Sequence, residues 1–281
     1  MAEQRVAVRF LVDGGLSVLR ACTLMQLPRS TFVYVPVPTD DTEVLTQIHA
    51  LVARHPRYGY RRIGSLLRRT TTVNEKRVRR LWRQHQLQVR RIARCRRPRR
   101  PRPERVEAAY PGHIWAYDFV EDALVNGTPL RILTVIDEFT REGLALDVAR
   151  TTSAERVIGV LTSLVAQHGA PSHVRSDNGA EFVAGAVQAW LALAGVTTLY
   201  IDPGKPWQNG KEERFNGTVR DECLNMYQFH SVAEACVRLE AFRTEYNHER
   251  PHSRLGYLTP HAFTMAWHAA QAKQRDPHID T

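Results

Sequence analysis

The stretch Ile114-Trp115-Ala116-Tyr117-Asp118-Phe119-Val120 alternates with a period of two, which puts Trp115, Tyr117 and Phe119 on one face of a strand. Ile114, Ala116 and Val120 fall on the other face, and Asp118 stands among them. A carboxylate there costs several kcal/mol to desolvate unless it is paired or binds a metal. Working outward, Asn126-Gly127 reads as a turn, Arg131–Asp137 as a second strand and Gly143–Ala149 as a third. Thr152-Ser153-Ala154-Glu155 fits a capping box opening a helix that runs to about His168. His173–Ser176 reads as a short buried strand, residues 180–194 as a helix, and Thr197–Ile201 as a fifth strand. A further helix is expected from about Gln208 to Asn225. Three meandering strands followed by alternating helices and strands predict an α/β sheet with antiparallel and parallel parts.

Two more acids invite comparison with Asp118. In Val174-Arg175-Ser176-Asp177-Asn178-Gly179-Ala180-Glu181-Phe182, the aspartate ends a strand directly before Asn-Gly. A tight turn explains Asn178-Gly179, and a metal ligand at the sheet edge explains Asp177. On the helix beginning near Gln208, Asn209, Glu213, Asn216 and Arg220 share one polar face, while Glu212, about 100° from Glu213, is read as facing solvent. Asp122 and Asp137 are alternatives to Asp118, although Asp137 better suits a structural hydrogen bond at a strand end. Carboxylates converging from two strands and a helix repel one another, and hard divalent cations relieve that. Two such ions roughly 4 Å apart can serve in-line phosphoryl transfer. No Walker-type loop, Cys/His zinc pattern or Ser-His-Asp arrangement competes for the role.

Charge points to the partner. The 281 residues carry a net charge of +10, but residues 1–105 hold 24 Lys and Arg against 7 Asp and Glu, and the remainder is acidic on balance. So concentrated an excess repels itself unless a polyanion is present, and nucleic acid is the expected one. Cys22, Cys95, Cys223 and Cys236 are widely spaced and read as reduced thiols of a cytoplasmic protein. Neither a signal peptide nor a membrane span is expected, because Gly185, Gln188 and Gly195 break the longest uncharged run.

Val18, Ala21, Leu24 and Leu27 follow helical spacing before Pro28, the outline of a helix-turn-helix with Gln26 where glycine is usual. An αα-hairpin that never touches DNA is the plainer alternative. Beyond Pro36-Val37-Pro38, Tyr60, Ile63, Leu66 and Leu67 form one stripe, and Asn74 suits the N-cap of a helix burying Val78, Leu81 and Trp82. Arg61, Arg62, Arg77 and Arg80 lie off these stripes and are assigned to DNA. Residues 90–105 contain nine arginines and three prolines, which forbids a regular helix. Arg96, Arg97, Arg99 and Arg100 of this extended linker are assigned to the phosphate backbone.

The stretches HPRYGYRRI, WAYDF, RILTVIDEFTRE, RSDNGAEF, YIDPGKPWQNGKEERFNGTVRDECLN and YNHERPHSRLGYLTPHAF together resemble the second-frame (OrfB) transposases of bacterial insertion sequences. That family makes its full transposase by ribosomal frameshifting and is similar to retroviral integrases. Its Asp-Asp-Glu triad has 35 residues between the second Asp and the Glu, as between Asp177 and Glu213 here. The resemblance implies that Asp118, Asp177 and Glu213 hold two Mg²⁺ ions, with Mn²⁺ as a substitute, on an RNase H-like core. It also implies cleavage and strand transfer at the inverted repeats of an element, a multimer, target DNA, and a first-frame (OrfA) protein or fusion as partner. Lys205, Lys211, Arg214 and Arg220 are expected to hold phosphates beside the triad, and Asn209 and Trp207 are expected either to contact DNA or to shape the helix entrance. Arg214, Lys211 and Glu212 depart from the family's usual residues at those positions. The expected organisation is a helix-turn-helix over 1–36, a second helical DNA-binding module over 37–89 and the linker over 90–109. An RNase H-like core follows over 110–230, with five mixed strands and flanking helices, and then a helical extension over 231–281, to which His248 and His252 belong. A repressor of its own element with an inactive core is the non-enzymatic alternative, and a structure-selective nuclease would lack the paired helical modules.

Overall fold

The computed structural model describes residues 2–35, 40–89, 106–176, 185–200 and 210–275. Its contacts divide the chain into two compact units, Met1–Gln47 and Ile48–Thr281.

In the first unit, α1 (Ala2–Asp13), α2 (Val18–Leu24) and α3 (Arg29–Val33) close around Val8, Ala21, Cys22 and Leu27. Ser17 caps α2 by accepting a hydrogen bond from the Arg20 amide at 3.4 Å. The turn into α3 passes through Gln26 at φ 51°, a left-handed conformation that glycine adopts more easily. The two helices expected around this turn therefore form, whereas α1 was not anticipated. α4 (Thr42–Arg54) begins in this unit and ends in the second.

The second unit continues with α5 (Tyr60–Leu67) and α6 (Glu75–Gln84). Ile63, Leu67, Val78, Leu81 and Trp82 are buried as their spacing requires, and Asn74 caps α6 through the Lys76 amide at 2.8 Å. The sheet follows: β1 (Ile114–Ala123), β2 (Pro129–Asp137), β3 (Gly143–Ala149), β4 (His173–Ser176) and β5 (Thr197–Tyr200). Its order is β3-β2-β1-β4-β5. β1 pairs antiparallel with β2 and parallel with β4, so the expected mixed sheet is the one observed.

Each face of the sheet is covered by helices. Trp115, Tyr117, Leu133, Val135 and Val174 point toward α7 (Ala154–His168) and α8 (Gly185–Leu193), meeting Val157, Leu161, Leu164, Val187 and Leu191. Ala116, Val120, Ile132, Ile136, Leu146 and Val148 meet residues of α9 (Glu212–Glu222) and α10 (Val232–His248) on the opposite side. Phe215 and Val219 come from α9, and Ala235, Leu239, Phe242 and Tyr246 come from α10. Residues 232–246 are thus a layer of the core and not an extension of it. Burying a Leu or Phe side chain is worth about 1.5–3 kcal/mol, so α10 carries a substantial share of this face. α11 (Pro260–Arg275) closes the described chain.

α5 and the loop before it are joined to the core by charge. Arg57 Nη2 donates to Asp221 Oδ1 at 2.5 Å, and Arg62 Nη1 donates to Glu222 Oε1 at 2.9 Å. The same Glu222 carboxylate accepts from Arg250 Nε and Nη2, both at 2.7 Å. Tyr58 is buried beside these groups, stacked on His55 at 4.6 Å between ring centroids.

Candidate active site

Asp118 is half-buried in mid-β1, opposite Thr134 of β2 and on the face that α9 covers. Its Oδ1 accepts from the Phe119 amide at 2.8 Å, and its Oδ2 accepts from Asn216 Nδ2 at 2.9 Å. Arg220, one turn further along α9, donates from Nη2 to the Glu121 carbonyl at 2.8 Å. The face holding Asn216 and Arg220 therefore runs along β1, as the helical spacing required. Glu213 lies one turn before Asn216 and is exposed.

Glu212 corrects the sequence reading, because it is fully buried. Its Oε1 accepts from Thr134 Oγ1 at 2.6 Å, and Thr134 Oγ1 also lies 3.1 Å from the Asp118 carbonyl. The reason is angular: at 100° per residue, Glu212 and Glu213 lie about 40° and 60° to either side of the Asn216 direction. Measuring Glu212 only against Glu213 sent it to solvent. Burial holds its carboxyl well above the usual range, and the nearby Asp118 and Glu138 add to that, while the Thr134 hydrogen bond opposes it.

Two buried oxygens at this place have no hydrogen-bond partner among the described residues, Glu212 Oε2 and Asn216 Oδ1. Hard oxygen donors beside an aspartate are the ligand chemistry that suits Mg²⁺. Among the described residues, no group of three or more His, Cys, Asp or Glu side chains is placed to hold a metal ion. Asp177 lies outside the described residues, as do Lys205, Asn209 and the arginines Arg96, Arg97, Arg99 and Arg100.

Of the alternatives to Asp118, Asp137 has a structural role. Asp137 is buried and accepts from the Gly112, Phe139 and Thr140 amides at 2.6, 2.7 and 2.9 Å. Burial raises its pKa even so, against those three amides. Asp122 accepts from the Ala123 amide at 2.8 Å.

Several residues assigned to DNA have protein partners. Arg62 holds Glu222 as above, and Lys211 Nζ pairs with the fully buried Glu138 at 2.9 Å. Arg61 is exposed, 3.6 Å from Glu75 and 5.6 Å from its neighbour's Tyr60 ring. Arg80 and Arg214 are exposed, and Arg77 is partly so. Glu138, Thr134 and Arg175 escaped the sequence reading. The signal was there in Glu138, an acid directly after the apolar run of β2, and in Arg175, a cation inside a buried strand. His252, placed in a C-terminal packing element, does pack there, with its ring against Tyr246 at 4.7 Å.

Known proteins share this outline. Residues 108–206 and residues 194–260 each match the integrase core domain, and residues 39–99 match the HTH-like domain. The chain is 38% identical over 278 residues to an uncharacterized 39.2 kDa protein of insertion element IS476 from Xanthomonas euvesicatoria, covering 98% of this chain and 80% of that one. It is 41% identical over 260 residues to an uncharacterized 31.7 kDa protein of insertion element IS407 from Burkholderia multivorans, covering 92% of this chain and 94% of that one. Transposase InsD for insertion element IS2 of Escherichia coli is 30% identical over 240 residues, with 80% of this chain and 79% of that one covered. Among solved structures, a chain of the simian T-cell lymphotropic virus intasome in complex with PP2A regulatory subunit B56 gamma superposes with a TM-score of 0.51 at 17% identity. That match covers 77% of this chain and 74% of the viral one.

Proposed function

This chain belongs to the integrase-core transposases of bacterial insertion elements, and on that premise we propose that Asp118, Asp177 and Glu213 are the carboxylates at which it cuts and joins DNA. The observation carrying this reading is Asp118, an acid set in mid-strand against the helix whose first turn bears Glu213. Chain order supports Asp177 as the second acid. Ala116 pairs with Arg175 across β1 and β4, and Asp118 and Asp177 each follow that pair by two residues.

The three carboxylates would hold two Mg²⁺ ions, or Mn²⁺ in their place, which when bound supply Lewis acidity to a phosphodiester and to the attacking oxygen. The protein's own groups do the rest. Asn216 fixes one oxygen of Asp118, so that the other carboxylate lone pairs keep a set direction. Arg214, Lys205 and Asn209 are assigned to the phosphates that flank the scissile bond. Water attacks a phosphorus at the element end, a P–O bond forms and the P–O3′ bond breaks, freeing a 3′-hydroxyl. That hydroxyl attacks a target phosphorus, and the target's own 3′-oxygen leaves, so no bond to protein forms. The helical modules and the basic linker grip the terminal repeats, and joining two ends calls for more than one copy of the chain. The first-frame protein supplies further DNA contacts, and the reaction takes place in the cytoplasm.

The test is strand transfer on a duplex carrying the element end, comparing wild type with Asp177→Asn with Mg²⁺ or Mn²⁺ present. The reading expects the variant to bind and not to join. A wild-type chain that binds but neither nicks nor joins, with the first-frame protein supplied, would make repression of its own element the better account.

A further inference from the structure

We infer that Glu138 is a positioning residue that sets the spacing between the second and third acids of the triad, an inference that rests on the assignment of Asp177 and Glu213 above. Glu138 follows β2 directly and is fully buried, and each of its carboxylate oxygens takes a cation from a different element. Oε1 accepts from Arg175 Nη1 of β4, and Oε2 meets Lys211 Nζ at 2.9 Å, from the residue that caps the start of α9. Arg175 precedes Asp177 by two residues, and Lys211 precedes Glu213 by two. The backbone is anchored to the third element, because the Glu138 amide donates to the carbonyl of Ile114, the first residue of β1, at 2.9 Å. The strand holding Asp118, the strand leading to Asp177 and the helix bearing Glu213 therefore meet at one residue.

The chemistry of this junction favours holding over binding. Charge-assisted bonds to a desolvated carboxylate are short and strong, and here the acceptor has one cation on each oxygen. Arg175 is nearly as buried, and its Nη2 also donates to the Val106 carbonyl at 2.7 Å, where the described chain resumes after the basic linker. A long flexible lysine committed to Glu138 fixes where α9 begins. Three carboxylates must stand at set distances to share divalent ions, and a shift near 1 Å in such a site costs on the order of 10²-fold in rate. Glu138 touches neither substrate nor reacting atoms and acts through the elements it ties.

The experiment uses the full chain with Glu138→Gln and, because a buried variant can fail to fold, Lys211→Met as a second probe. Three quantities are read on a duplex carrying the element end: affinity, strand-transfer rate at saturating DNA, and the Mg²⁺ concentration giving half that rate. Both variants are expected to bind the duplex nearly as the wild type does, to lose on the order of 10²-fold in saturated rate, and to need more Mg²⁺. If Glu138→Gln does not fold, Lys211→Met decides alone. Weakened DNA affinity with an unchanged saturated rate in Lys211→Met would make Lys211 a phosphate contact and overturn the inference. Wild-type rate and Mg²⁺ requirement in a folded Glu138→Gln would overturn it as well. Asp177→Asn in the same assay keeps the two readings apart. Its full activity sinks the triad assignment, whereas its inactivity beside two fully active junction variants sinks only the role of Glu138.

Discussion

Replacing Gly143 by alanine tests how tightly the sheet holds α9. Gly143 starts β3 and is buried, and a Cβ there would stand 2.8 Å from Phe215 Cζ and 3.1 Å from Cε2. Carbon atoms pack at 3.5–4.0 Å, so ring or strand must yield by roughly 0.7 Å. The strand is poorly placed to do so. The Gly143 amide donates to Asn247 Oδ1, and the Gly143 carbonyl accepts from Asn247 Nδ2, both at 2.9 Å. The ring is confined as well, because Phe215 is 1% exposed and meets Tyr246 edge-on at 4.9 Å between centroids. Overpacking of this kind costs about 1–3 kcal/mol, and the stiffer unfolded chain of alanine offsets roughly 0.4–1 of that. The net expectation for Gly143→Ala is a loss of about 0.5–2 kcal/mol in urea unfolding followed by tryptophan fluorescence. Phe215→Leu removes the obstructing ring, so the alanine should cost markedly less in that background. Because Phe215 adjoins Asn216, the single variant should also slow strand transfer more than it weakens DNA binding. A neutral or stabilising Gly143→Ala, or costs that simply add in the double variant, would refute the close approach of β3 to α9.

Removing the charge of Glu222 by Glu222→Gln unbalances the buried guanidinium of Arg250 and should cost about 3–5 kcal/mol, measured by the same unfolding curves. Arg54→Ala breaks only an exposed pair with Glu249 and should cost less than about 1 kcal/mol. Burial, followed by the neighbouring Arg250, Arg62 and Arg141, lowers the pKa of His252 to about 2. The unfolded chain then binds that proton more tightly than the folded one. The stability contributed by neutral His252 is fully present above pH about 6.5 and falls as pH drops below it, by up to about 1.4 kcal/mol per unit. Urea midpoints between pH 7 and 5 should show this slope, and His252→Asn should flatten it. Chelation of divalent cations should stop nicking and joining while leaving duplex binding by gel shift intact.

The parts of the fold written in local periodicity were legible. Gly143–Ala149 and His173–Ser176 form strands with the limits that alternation and turn residues assigned them, and α7 ends at His168 as expected. Its cap differs in detail: Ser153 accepts from the Arg156 amide at 3.3 Å, so the capping residue lies one place past Thr152. α1 was missed, because Ala2–Asp13 has neither a strong cap nor a sharp stripe to announce it. At the site, Asp118 was legible because an acid interrupts an apolar face within seven residues of sequence. Glu212 was not, since its angle was measured against Glu213 alone and its partner Thr134 lies 78 residues away. The ion pair of Arg62 was hidden for a related reason, as its partner Glu222 lies 160 residues further along the chain. Composition can announce a surplus of cations, but it cannot say which of them the protein keeps for itself.

The two ends of α9 have different duties, with Glu213 in its first turn and the Glu222 carboxylate, which grips Arg62 and Arg250, in its last. Eleven residues of helix measure about 16 Å, close to the rise of five stacked base pairs. The helix is in effect a measuring rod, with Glu213 at one end and the footing of a helical module at the other. A rod of this kind tolerates exchange of its outward side chains but not a change of length. Inserting or deleting one residue would turn its far end by about 100° relative to Glu213.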